Sequence, residues 1–208
     1  MKILVTENQY NKLFKEEKEQ KIFRVPGLKF FDENPWEAWQ ILQKVLQRRG
    51  NPPYTIDGDL DLAGTPIQSL GNLTSVRGYL YLDGTPIKSL GNLQSVGGDL
   101  DLRRTAIESL GNLQSVGGYL DLKKTPIKSL GNLTSVGGYL DLQLTPIKSL
   151  KNLQSVGGYL NLYVTPIDSL GNLKSVGEIL DLRGTPLSKK YTEEQIREMV
   201  NVDGEIYM

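Results

Sequence analysis

The chain has 208 residues, with 24 basic and 24 acidic side chains, no cysteine and no histidine. Those absences exclude disulfides, thiol nucleophiles, Cys or His metal sites and the usual imidazole general base. Residues 1–57 carry ten basic and eight acidic groups, residues 58–187 eleven of each, and residues 188–208 three and five, so no segment has the basic excess of a general nucleic-acid binder.

The opening "MKILVTENQYNKLFKEEKEQ" lacks the long apolar run of a secretory signal. No stretch of about 18 apolar residues reads as a membrane span, so a soluble, cytoplasmic protein is expected. Thr6 and Gln9 fit a capping box for a helix over Glu7–Glu19. Asp32 or Asn34 then caps a second helix, with Pro35 in its first turn, "WEAWQILQKVLQRR" as its body and Gly50 as its stop. Trp36, Trp39, Ile41, Leu42, Val45 and Leu46 form its apolar stripe, and both Trp residues read as core packing rather than a ligand site. Residues 1–57 are therefore expected to be a helical N-terminal cap.

From Gly58 one phrase recurs every twenty residues, beginning at Gly58, Gly78, Gly98, Gly118, Gly138, Gly158 and Glu178: G-x-L-x-L-x-x-T-P-I-x-S-L-G-N-L-x-S-V-G. A fixed period of this size predicts a solenoid, in which stacked copies share one core. Positions 3 and 5 (Leu80 and Leu82) alternate with polar positions and predict a short strand. Positions 10, 13, 16 and 19 (Ile87, Leu90, Leu93, Val96) recur every three residues and predict a 3₁₀-like or coiled return path, with turn chemistry from Gly at 14 and Asn at 15. Pro fills position 9 in six of seven copies, where the chain leaves the strand.

"VDGEIYM" (202–208) aligns with "VGGYLDL" (116–122), which marks an eighth copy. The copy from Glu178 thus spans 204 − 178 = 26 residues, and the extra six fall in "SKKYTEEQIREMVN". There Thr192 and Gln195 read as a capping box. The expected division is a solenoid over 58–187 and a C-terminal cap of one helix and a last strand over 188–208.

The phrase resembles a leucine-rich repeat: the family pattern L-x-x-L-x-L-x-x-N-x-L falls on Gly97, Leu100, Leu102, Thr105 and Ile107. Its length matches the short bacterial-type members. Two positions depart from the family: Gly stands for the first Leu, with Val96 beside it as apolar anchor, and Thr stands for the Asn that bonds neighbouring loops. The resemblance implies an α/β, right-handed solenoid with a parallel concave sheet of about eight short strands between helical caps. The opening "MKILVTENQYNKLF" is similar to the start of many tailed-phage proteins, which would imply a viral origin and residence in the host cytoplasm or the virion.

In such a fold, positions 2, 4 and 6 lie on the concave face and position 7 at its rim. Tyr119, Tyr139 and Tyr159 then form one column, and Asp101, Asp121 and Asp141 a second beside it. Arg103, Arg104, Lys123 and Lys124 border the Asp column, followed by Leu144, Tyr163 and Val164. One reading is structural, with duplicated Tyr and Asp whose charge the basic groups offset. The other is a binding face, because Tyr and Arg are frequent anchors. Positions 6 and 7 vary far more than solubility demands, which favours a surface tuned for a partner.

Asp pairs such as Asp99 and Asp101 could in principle serve glycoside hydrolysis, but they sit on an open ladder without enclosing loops. No loop has a calcium-binding spacing, and the Gly-Gly pairs lack the phosphate-loop signature. A non-enzymatic protein-binding module without cofactor or metal is therefore expected. A structural virion component, or a glycan or nucleic-acid binder using the Tyr column and basic rim, are the alternatives.

Overall fold

The computed structural model describes residues 15–16, 22–25 and 34–208. The repeats form a parallel β-solenoid with two sheets, and each coil gives one short strand to each sheet. The first sheet has eight strands, from Leu60–Asp61 through Leu180–Asp181 to Ile206–Tyr207. Leu100, Leu120, Leu140 and Leu160 stand in register across it, one coil apart. The eighth copy read from "VDGEIYM" is present, with Ile206 paired to Leu180 and Val202 to Val176.

The second sheet is where the structure departs from the sequence reading. No 3₁₀ helix forms on the return path of the repeats, which takes the coiled form of the two expected. Positions 18 and 19 are instead extended, and Ser95–Val96, Ser115–Val116, Ser135–Val136 and their counterparts pair in parallel within a ten-stranded sheet. The three-residue spacing of Ile, Leu, Leu and Val is satisfied by a coiled chain that bends around the core with one three-residue turn bond on each return path, as Leu113 N donates to Leu110 O at 3.2 Å. Its amides bond to the previous coil, as Gly117 N donates to Val96 O at 2.8 Å.

The core runs the length of the stack. Leu100, Leu102, Ile107, Leu110, Leu113 and Val116 of one coil are each 0–1% exposed. Each lies against its equivalents above and below, so neither face of a central coil meets water. Close stacking also explains the Gly that precedes most of the strands. A Cβ at Gly137 would sit 2.1 Å from the Gly117 carbonyl oxygen, so a side chain in the central coils would force the neighbouring backbone to move, whereas Arg77 and Asp203 take the equivalent place towards the two ends of the stack.

Two polar devices set the coils. Thr at position 8, expected to bond neighbouring loops, bonds within its own coil: Thr125 Oγ1 donates to the Leu122 carbonyl at 2.7 Å. Asn at position 15 makes the bonds between coils, as Asn112 Nδ2 donates to the Gly91 carbonyl at 3.1 Å and Asn152 Nδ2 to that of Gly131 at 3.1 Å. A hydroxyl three residues after a carbonyl reaches back to close a turn, whereas side chains on the return path, Asn112 and also Thr134 with its bond to the Gln114 carbonyl at 3.0 Å, reach the preceding coil.

At the N-terminal side, α1 (Pro35–Arg48) is capped by Asn34, whose side chain accepts from the Glu37 amide at 3.3 Å. Trp39, Leu42 and Leu46 join the core and Trp36 packs against it. Ile56 fills the repeat-Val place and is fully buried. The helix expected over Glu7–Glu19 is not seen at Lys15–Glu16, which form a strand antiparallel to Phe23–Val25. The rest of that span, Thr6 and Gln9 included, lies outside the described residues. At the other end, α2 (Pro186–Lys190) and α3 (Glu193–Met199) follow the last full coil. The capping box of Thr192 and Gln195 opens α3, and Ile196 buries its apolar side in the core.

Candidate functional site

Position 4 was expected to face solvent. Instead Asp101, Asp141, Asn161 and Asp181 are buried, and Asp121 is half-buried. Each accepts from the backbone amide two residues on: Asp101 from Arg103, Asp121 from Lys123, Asp141 from Gln143, Asn161 from Tyr163 and Asp181 from Arg183, all at 2.8–3.0 Å. Such a bond turns the chain out of the strand. The acidic column is therefore a set of turn devices, not an exposed carboxylate array.

The tyrosines lie over this column. Tyr139 donates to Asp141 at 2.7 Å and Tyr159 to Asp181 at 3.0 Å, with their rings 5.4 Å apart and tilted by 31°. The Tyr119 amide donates to Asp99 at 3.0 Å. All three phenols are raised above their usual pKa, mainly by burial, and then by side-chain hydrogen bonding and the nearby negative charge. The three-membered column read from sequence is thus a half-buried cover in which the Tyr139 and Tyr159 hydroxyls are engaged.

The arginines bind carboxylates of their own face. Arg103 reaches Asp101 and also lies 3.3 Å from Asp121; Arg104 makes a two-pronged pair with Asp83. The Arg104 bond holds Asp83 below the usual carboxylate range, although its partial burial acts the other way. Asp121 is pushed up, chiefly by burial. Arg183 bonds to Asp181 and lies over the rings of Tyr163 and Tyr207, at 5.5 and 5.0 Å from their centroids. Lys123 and Lys124 make no ion pair with any described residue. Leu144, Tyr163 and Val164 follow them along the edge, 43%, 37% and 43% exposed.

The rim holds the feature that the sequence reading missed. Position 7 is the third residue of a turn closed by the Thr amide on the Leu carbonyl, as Thr145 N donates to Leu142 O at 3.2 Å. Its φ is positive in every coil: 67°, 68° and 74° at Gly64, Gly84 and Gly184, but also 56°, 60°, 59° and 53° at Arg104, Lys124, Leu144 and Val164. Glycine is the natural residue there. A bulky side chain costs about 1–2 kcal/mol, and a β-branched one is a clear outlier. Position 14 makes the same demand and meets it with Gly in five of six coils, Lys151 being the exception. The signal was readable: Gly in the outer copies marks a left-handed position, and four consecutive central copies reject it.

On the opposite sheet, a shallow groove of about 550 Å³ runs along the Ser and Gly columns from Arg77 to Asp203. It brings together no convergent charged groups. Among the described residues no three His, Cys, Asp or Glu side chains are arranged to hold a metal ion, and no helix is long and apolar enough to cross a membrane. Compared with known proteins, the chain matches no family model, no curated protein and no solved structure.

Proposed function

We propose that the chain is a non-enzymatic, leucine-rich-repeat-type protein-binding module, and that its binding surface is the rim of the eight-stranded sheet in the copies that begin at Gly98, Gly118, Gly138 and Gly158. One observation carries this reading: Arg104, Lys124, Leu144 and Val164 stand side by side in a backbone conformation that favours glycine. Strain retained in consecutive coils points to a use for the side chains. Tyr163 and Arg183 widen the surface beside them, and Tyr and Arg are the residues on which interface energy concentrates.

The carboxylates support the non-enzymatic part of the reading. Asp101, Asp141 and Asp181 are committed to turn amides, phenols and guanidinium groups, which leaves no free acid–base pair in the column. The C-terminal helices are read as a cap. Arg197 donates to the Val202 and Gly204 carbonyls at 3.0 and 2.9 Å, and blunting an open edge in this way discourages further strand addition. A structural component joined through its ends is therefore the weaker reading. A 1–187 fragment should aggregate or lose stability, and a monodisperse, equally stable fragment would refute the capping role.

The binding reading is tested by affinity capture from the native host with three baits: the parent chain, a rim variant with Arg104, Lys124, Leu144 and Val164 all changed to Gly, and a control with Lys148→Ala and Gln154→Ala on the other side. The expected result is a specific protein held by the parent and the control and lost by the rim variant. Equal capture by the folded rim variant would sink the assignment.

A further inference from the structure

Resting on that reading, we infer that the partner presents an amphipathic helix to this rim, lying along the stack, with a carboxylate at one turn and apolar side chains at the next two. Charge sets the first element. Arg103, Arg104 and Arg183 are neutralised by Asp101, Asp83 and Asp181 within the face. Lys123 and Lys124 have no acidic partner among the described residues, and Lys124 is held outward on a left-handed turn at φ 60°. Two cations without carboxylates, on a face where the arginines have them, complement an acidic side chain from outside.

Apolar exposure sets the second element. Leu144 and Val164 stand one and two coils beyond Lys124, with Tyr163 next to Val164, and each is more than one-third exposed. The three exposed apolar groups lie together on the sheet edge, directly after the unpaired lysines. The complementary ligand therefore carries charge and apolar groups in that order along one line.

Spacing favours a helix over a strand. Neighbouring coils are about 4.8 Å apart, so Lys124, Leu144 and Val164 mark points at about 0, 4.8 and 9.6 Å along the rim. A helix presents one face every turn of about 5.4 Å, which places three side chains at about 0, 5.4 and 10.8 Å and misses by about 1 Å at the far end. An extended segment presents one face every second residue, at about 0, 6.7 and 13.4 Å, and misses by about 4 Å. The helix follows the rim more closely than the extended segment does, and so needs less side-chain adjustment to meet all three points.

The test uses synthetic probes and the full chain, read by fluorescence anisotropy. The first probe is an Ala/Gln-rich helix of about 18 residues, long enough for helicity in water, with Glu on one turn and Leu on the next two turns of the same face. The second has Lys for Glu, and the third has a central Pro that breaks the helix. The Glu helix should bind at least about tenfold more tightly than either. The Lys123→Glu/Lys124→Glu chain should prefer the Lys helix; if that variant does not fold, Lys124→Gln should abolish the preference. Equal binding of the Glu and Lys probes, undiminished binding of the Pro probe, or no binding of the Glu helix overturns the inference. If the probes fail while host capture still depends on the rim, the helical partner is wrong and the protein-binding reading stands. If the rim glycine variant captures the same protein as the parent, both fall.

Discussion

Val164→Gly should leave the folding free energy within about 1 kcal/mol of the parent, even though it deletes a branched side chain. Val164 has φ 53°, and relieving a left-handed conformation returns about 1–2 kcal/mol. Glycine gives back about 0.5–1 kcal/mol through the greater freedom of the unfolded chain. The isopropyl group is 43% exposed; just over half of the about 1.5 kcal/mol for a fully buried Val, or about 0.9 kcal/mol, is lost with it. The sum runs from about 0.6 kcal/mol of gain to about 0.9 kcal/mol of loss. Gly84→Val is the mirror experiment. Gly84 has φ 68° and open space where its Cβ would stand, so the substitution should cost about 1–2 kcal/mol of backbone strain, offset by about 0.5–1 kcal/mol from the stiffer unfolded chain. Urea unfolding followed by circular dichroism measures both, with the slopes compared to confirm that the same surface unfolds. A loss well above 2 kcal/mol for Val164→Gly would show that the side chain holds the fold together. Its place on a strained turn would then need no partner.

Further predictions follow from the stack and its charges. Leu120→Ala, at a fully buried central site, should cost about 2–5 kcal/mol. Lys128→Ala removes only an exposed pair with Glu108 and should cost less than about 1 kcal/mol by the same unfolding assay. Gly137→Ala drives a methyl group into the Gly117 carbonyl; it should lower the thermal midpoint more than Gly84→Ala, which meets nothing, and equal shifts would contradict the stacking argument. Asp121, raised mainly by burial, contributes stability when protonated and loses it as pH rises through its folded pKa. Asp121→Asn should therefore match or exceed the parent at neutral pH, with any gain fading in acid, because Asn161 shows that Asn keeps the turn bond. Asp181 is pushed up by burial but brought below the usual range by its bonds to Arg183 and Tyr159. Its stability is present above the unfolded pKa and lost as pH falls through the folded one, so Asp181→Asn should cost most at neutral pH. Urea midpoints from neutral pH to about pH 3 separate the two signs.

The twenty-residue period and its apolar positions by themselves determined the stacking, the L-x-L strand and the place of the last coil at 202–208. That information is local and repeated: an alternating Leu pair and a fixed Val have one buried arrangement when identical copies lie on each other. The capping residues Asn34 and Thr192 were legible for the same reason, since a cap bonds within three residues of itself. What only the tertiary structure decided depends on neighbours one coil away. The Ser–Val segments pair because stacking brings them within hydrogen-bond reach across twenty residues, which no local propensity of two residues records. Most of the Asp column is buried, and Asp121 half-buried, because each strand turns immediately after it and the tyrosines fold over it. The inter-coil bonds fell to Asn at position 15 and to Thr at position 17 rather than Thr at position 8, because the place of the side chain in the coil, not its polarity, selects the partner. The rim lies between these cases. The glycines at 64, 84 and 184 stated the left-handed demand in the sequence, but the backbone angles at Arg104, Lys124, Leu144 and Val164 showed that the central coils meet it without glycine.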